Sequence, residues 1–71
     1  MLTEFNKDLL ELAETIKSKD NKAFRVKVLR MLDKMQMSNT KQFYMDKINK
    51  LCELMTGECY EVLFIKGVAN G

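Results

Sequence analysis

The 71-residue sequence contains no histidine and no proline, and it has only two cysteines and three glycines. Without histidine, the chain lacks the side chain best suited to proton transfer and zinc binding near neutral pH. The glycines, Gly57, Gly67 and Gly71, are too scattered to form a phosphate-binding loop. Cys52 and Cys59 have no histidine to deprotonate them, and together they supply only two of the four ligands of a structural zinc site. These absences predict a protein that is not an enzyme and that uses no metal or cofactor.

Long apolar runs are also missing, because the longest one is Val62–Ile65. Such a run is far shorter than a membrane-spanning helix requires. Glu4, Lys7 and Asp8 occupy positions where a secretory signal would need an apolar stretch. Small secreted proteins usually contain more cysteines than this chain does. We therefore expect a cytoplasmic protein with reduced thiols and no contact with a membrane.

Apolar residues recur three and four positions apart in three successive segments. These stripes are Leu2, Phe5, Leu9, Leu12 and Ile16; Phe24, Val28, Met31 and Met35; and Tyr44, Ile48, Leu51 and Met55. Residues with this spacing share one face of a helix, and each face must be buried. The sequence therefore predicts an all-α fold in one domain, a small three-helix bundle with helices at about residues 3–18, 21–37 and 39–56.

Polar residues indicate where these helices begin and end. Asp20 or Asn21 can cap the second helix, and Asn39 with Gln42 has the spacing of a capping box for the third. Gly57 is suited to the left-handed position that follows a helix.

The apolar C-terminal segment at residues 59–66 is harder to interpret. Cys59–Ile65 is rich in residues that favour strands, and both of its alternating faces are mostly apolar. We interpret the segment as a strand or a short fourth helix, with the strand slightly favoured. A lone strand would find no partner within the chain, which predicts a homodimer through Cys59–Ile65 or pairing with another protein.

Charge is distributed unevenly along the chain. Residues 1–20 contain three basic and five acidic groups, whereas residues 21–37 contain five basic groups and one acidic group. Lys27, Arg30 and Lys34 lie along one flank of the second helix, and we call them the basic strip. Two interpretations remain open: the first two helices attract each other, or the basic strip contacts carboxylates or phosphates of a partner.

A second helical stripe lies on the outer side of the third helix. This outer stripe consists of Phe43, Lys47, Lys50 and Leu54, with an apolar residue at each end and two cations between them. An aromatic anchor next to cations has the character of a binding hot spot. Further apolar residues lie off the main stripes: Leu10, Val26 and Leu29.

These features predict a non-enzymatic regulatory, inhibitor or adaptor protein that binds a protein partner, in the style of small phage or mobile-element products that modulate a host protein. The outer stripe would be the contact surface, and the basic strip would form an electrostatic rim for an acidic partner. The alternative is a nucleic-acid binder without sequence specificity, which would use the cations of both sets. A steep loss of binding with salt would distinguish that alternative.

Overall fold

The computed structural model describes residues 2–35 and 39–68, and the side chains of all of these except residues 2 and 3. Within these ranges the chain is all-α, as predicted, and forms a small helical bundle. Its helices are α1 (Leu2–Lys17), α2 (Asn21–Lys34), α3 (Lys41–Thr56) and α4 (Tyr60–Lys66).

The C-terminal segment forms a helix, so the strand interpretation is wrong and the short-fourth-helix alternative is confirmed. The Leu63 N–H donates to the Cys59 carbonyl over 3.2 Å, and the Gly67 N–H donates to the Leu63 carbonyl over 2.8 Å. Because α4 satisfies these backbone groups internally, it needs no second strand. The argument for a homodimer that is based on strand pairing therefore no longer holds.

The predicted start of α2 and the predicted end of α3 are confirmed. Asp20 is the N-cap of α2, and its carboxylate accepts a hydrogen bond of 3.0 Å from the Ala23 N–H. Gly57 follows α3 with φ 86°, and its N–H donates to the Glu53 carbonyl over 2.8 Å. This left-handed conformation is one that glycine adopts without a steric penalty, so α3 ends here.

Two boundary predictions differ from the structure. Thr40 is the N-cap of α3, so the predicted capping box of Asn39 and Gln42 is wrong; the Gln42 amide instead donates to Asp46 over 2.9 Å. Helix α2 ends at Lys34, earlier than predicted, and residues 36–38 lie outside the described residues.

Every helix contributes to one apolar core. Met55, which we expected to lie on the buried face of α3, is instead 41% exposed. Cys52, near the same end of α3, is fully buried. The contact between α1 and α3 includes the rings of Phe5 and Tyr44, whose centroids are 4.3 Å apart. The largest fully buried side chains are Leu12, Phe24, Val28, Met31, Ile48, Cys52 and Leu63.

Candidate protein-interaction surfaces

The outer stripe lies at the surface of α3, on the side opposite the buried Cys52. Phe43 is 52% exposed and Leu54 is 78% exposed. Lys47 and Lys50 lie between them and are also exposed. The Lys47 ammonium lies 5.0 Å from the centre of the Phe43 ring. The structure therefore brings together the four side chains that the sequence placed on this face.

The cations of the outer stripe are available to a partner. Among the described residues, neither Lys47 nor Lys50 forms an ion pair. The Phe43 ring also packs edge-on against Tyr44, with centroids 5.7 Å apart. This contact and the lysine above the ring limit the rotamers of Phe43, which lowers the entropy cost of using it as an anchor.

The basic strip has a different environment, because α1 supplies carboxylates to two of its three cations. The Lys27 ammonium donates to Asp8 over 2.9 Å and also to Glu11. The Lys34 ammonium lies 3.2 Å from Asp8 and 3.4 Å from Glu4. The interpretation that the first two helices attract each other is therefore confirmed for these lysines.

Arg30 differs from its two neighbours in the basic strip. Arg30 is exposed, and it forms no ion pair with any residue that the structure describes. A contact between the basic strip and a partner stays a prediction, and Arg30 is the member best placed to make it.

Asp8 is the centre of the α1–α2 ion-pair network, and sequence reasoning missed this role. Only 6% of the residue is exposed. Burial alone would raise the pKa of its carboxyl group, but the hydrogen bonds and positive charges of Lys27 and Lys34 outweigh that effect and lower the pKa from 3.8. A signal was present in the sequence, since Asp8 lies between Phe5 and Leu12 on the buried face of α1.

An apolar groove between α2 and α4 also escaped sequence reasoning. It has a volume of about 280 Å³. Leu29 and Ile65 stand on its two walls and are 54% and 80% exposed. Its lining residues are Val28, Leu29, Leu32, Tyr60, Glu61, Phe64 and Ile65. The surplus apolar Leu29 was a partial signal, but the groove exists only because α4 packs beside it.

The two cysteine thiols occupy different environments. Burial raises the pKa of Cys52 to about 12, so its thiol is not a ready nucleophile at neutral pH. Cys59 is half-buried at the start of α4.

In the described part of the chain, no three histidine, cysteine, aspartate or glutamate residues are arranged to hold a metal ion. None of the described helices is long and apolar enough to span a membrane.

Comparison of the chain with protein-family models, curated proteins and solved structures yields no match.

Proposed function

We propose that this chain is a small, non-enzymatic protein-binding module, a regulator, inhibitor or adaptor that acts by contact. The outer stripe of α3 binds an acidic and partly apolar segment of another protein. The observation that carries this proposal is the exposure of Phe43 and Leu54 on one helical line with Lys47 and Lys50, whose charges are not used for ion pairs within the described residues.

The dimensions of the outer stripe suit a helical or extended segment of a partner. Phe43 and Leu54 are eleven residues apart, which corresponds to about 16 Å along a helix axis. Two anchors at that separation allow a partner to bury apolar side chains at both ends of the contact. Lys47 and Lys50 then select for carboxylates between those ends, which supports binding to an acidic rather than a basic segment.

The proposal includes a cytoplasmic location, which the two free cysteines support. In this proposal the module inhibits or redirects the protein that it binds, because its contact surface covers a functional site of that partner.

The proposal is tested by affinity capture with the tagged full-length chain from a lysate of cells that encode it, followed by mass spectrometry. We expect the Phe43→Ala/Leu54→Ala variant to capture at least tenfold less of the partner protein, because both apolar anchors are removed. Leu10→Ala is the matched control, since Leu10 is 71% exposed on α1 and belongs to no proposed surface.

Both variants should keep the helical signal and the melting temperature of the parent chain. If Leu10→Ala reduces capture as strongly as the double variant, the loss is not specific to the outer stripe and the proposal is wrong. Unfolding of the double variant would show that these side chains stabilise the fold rather than bind a partner.

Nucleic acid is the rival ligand. Lys27 and Lys34 pair with carboxylates of α1, whereas Arg30, Lys47 and Lys50 are exposed and form no ion pair among the described residues. Purified protein is titrated with duplex DNA and with single-stranded RNA across a salt series. Binding with a steep negative salt slope that Lys47→Ala/Lys50→Ala reduces would favour the rival. Absence of binding at low salt would eliminate it.

A further inference from the structure

A second exposed surface is formed jointly by α2 and α4. We call it the α2–α4 face, and it includes the outward stripe of α2 and the exposed side of α4. Val26 and Leu29 are 41% and 54% exposed, and Ile65 is 80% exposed. The members of the face are Lys22, Val26, Leu29 and Asp33 on α2, and Glu61 and Ile65 on α4.

Side chains of α2 and α3 hold α4 in place, so the α2–α4 face is preformed. The Arg25 guanidinium donates to the carbonyl groups of Phe64 over 2.8 Å and of Ile65 over 3.3 Å. At the other end of α4, the Asn49 side-chain oxygen accepts a hydrogen bond of 3.1 Å from the Tyr60 N–H. A surface that is already ordered loses little entropy when it binds.

These contacts also fix the relative direction of the two helices. Arg25, near the start of α2, contacts the last residues of α4, whereas Leu29 and Leu32 line the groove with Tyr60 and Glu61 at the start of α4. Helices α2 and α4 therefore run in opposite directions along the groove.

The charges on the α2–α4 face differ between its two ends. Lys22 lies at the end where α2 begins, and Asp33 and Glu61 lie at the end where α2 finishes and α4 begins. All three side chains are exposed, and none forms an ion pair within the described part of the chain. The face thus has a basic end, an apolar middle and an acidic end.

We propose that a second copy of this chain covers the α2–α4 face. A twofold axis through the apolar middle places Lys22 of one copy against Asp33 and Glu61 of the other, and the reverse contact forms at the opposite end. Leu29 and Ile65 of both copies then meet at the centre. This homodimer is formed by side-chain packing of helices, and it leaves the outer stripe of α3 out of the contact.

A homodimer also suits the size of the chain. A chain of 71 residues buries a smaller fraction of its surface than a larger domain does, and oligomerisation is a common source of additional stability. The exposed apolar side chains on α2 and α4 would be covered by the contact.

The test begins with analytical ultracentrifugation of the full-length chain over a concentration series. We expect a dimer, and we expect Leu29→Ala/Ile65→Ala to raise its dissociation constant at least tenfold. Leu10→Ala is the matched control and should leave the dissociation constant unchanged, as should Phe43→Ala/Leu54→Ala.

A charge exchange tests the geometry directly. Lys22→Glu alone and Asp33→Lys/Glu61→Lys alone should each give monomers, because like charges meet at both ends of the twofold contact. An equimolar mixture of the two variants should restore the dimer, because each altered end then faces an opposite charge. Circular dichroism verifies that both variants are folded.

Three results would overturn the proposal. The first is a full-length chain that remains a monomer at millimolar concentration. The second is failure of the mixed variants to associate although each is folded. The third is a dimer that Phe43→Ala/Leu54→Ala disrupts and Leu29→Ala/Ile65→Ala does not. Because the α2–α4 face and the outer stripe are separate, each proposal can fail while the other holds.

Discussion

A single buried carboxylate links the first two helices through hydrogen bonds. Asp8 stands within the apolar face of α1, and its two oxygens accept hydrogen bonds from Lys27 and Lys34, which are two helical turns apart on α2. This arrangement gives α1 one favourable register on α2, because a shift by one turn would separate Asp8 from at least one lysine.

Asp8→Asn should lower the free energy of unfolding by about 1–3 kcal/mol, because the hydrogen bonds of a buried charged group are lost or weakened. The measurement is urea denaturation at neutral pH. Glu11→Gln is the matched control, because it also removes an acidic partner of Lys27, but from a side chain that is 49% exposed. It should change stability little, since exposed ion pairs contribute little.

The Asp8→Asn variant also tests how the free energy of unfolding depends on pH in the acid range. Because the pKa of Asp8 is lowered from 3.8 in the folded chain, its stabilising contribution is present above pH 3.8 and is lost as the pH falls through the folded-state pKa. The difference between the parent chain and Asp8→Asn should therefore shrink below pH 3.8. A constant difference down to the acid transition would mean that the charge of Asp8 does not stabilise the fold.

At the scale of elements, α4 shows where local sequence information is insufficient. Its residues favour strands by propensity, and seven residues form barely two helical turns, too few for a helical period to be recognised. Its helical state depends on contacts with distant residues: Arg25 and Asn49 bind its two ends, and Leu63 is fully buried in the core. These contacts are not visible in a local pattern.

The two glycines that end helices allow a matched comparison. Gly67 has φ 93°, and a methyl group added there would lie 2.6 Å from the Asn21 side-chain nitrogen. Gly57 has φ 86°, and an added methyl group would meet no atom within 4 Å. We expect Gly57→Ala to cost about 1 kcal/mol through backbone strain, and Gly67→Ala to cost more because the steric contact adds to the strain.

Thermal and urea denaturation of the two glycine variants check this order. Hydrogen exchange should also show faster exchange of the α4 amides in Gly67→Ala, because Gly67 ends α4 and packs closely against Asn21 at the start of α2. Equal costs for both variants would indicate that the close approach between Gly67 and Asn21 does not constrain α4.

At the scale of the whole molecule, sequence patterns predicted the surface that belongs to one helix, left the role of the basic strip open between two interpretations, and missed the α2–α4 face. The outer stripe follows from helical spacing within α3, and the structure exposes Phe43 and Leu54 as expected. The use of Lys27 and Lys34 by α1, and the formation of the α2–α4 face, depend on how helices pack against each other. Spacing along one segment carries no information about that packing.

The fourth helix should be essential for the fold rather than an appendage. A chain that ends at Gly57 lacks Leu63 and Val68, which are 0% and 3% exposed. Loss of these two residues would expose apolar side chains of the common core to water. Because a chain of this size has a small stability margin, we expect the shortened chain to lose cooperative unfolding and to bind a hydrophobic dye.

Leu63→Ala in the full-length chain is the milder comparison for this truncation. It should cost about 2–5 kcal/mol, as expected for removal of a fully buried leucine side chain, and it keeps the polar contacts at both ends of α4. Calorimetry and near-ultraviolet circular dichroism should therefore rank stability in the order full-length chain, Leu63→Ala, shortened chain. A shortened chain that melts cooperatively at the temperature of the parent would show that α1–α3 form the folding unit alone. In that case the α2–α4 face would be a surface of a detachable helix, because the core would not require α4 to stay in place.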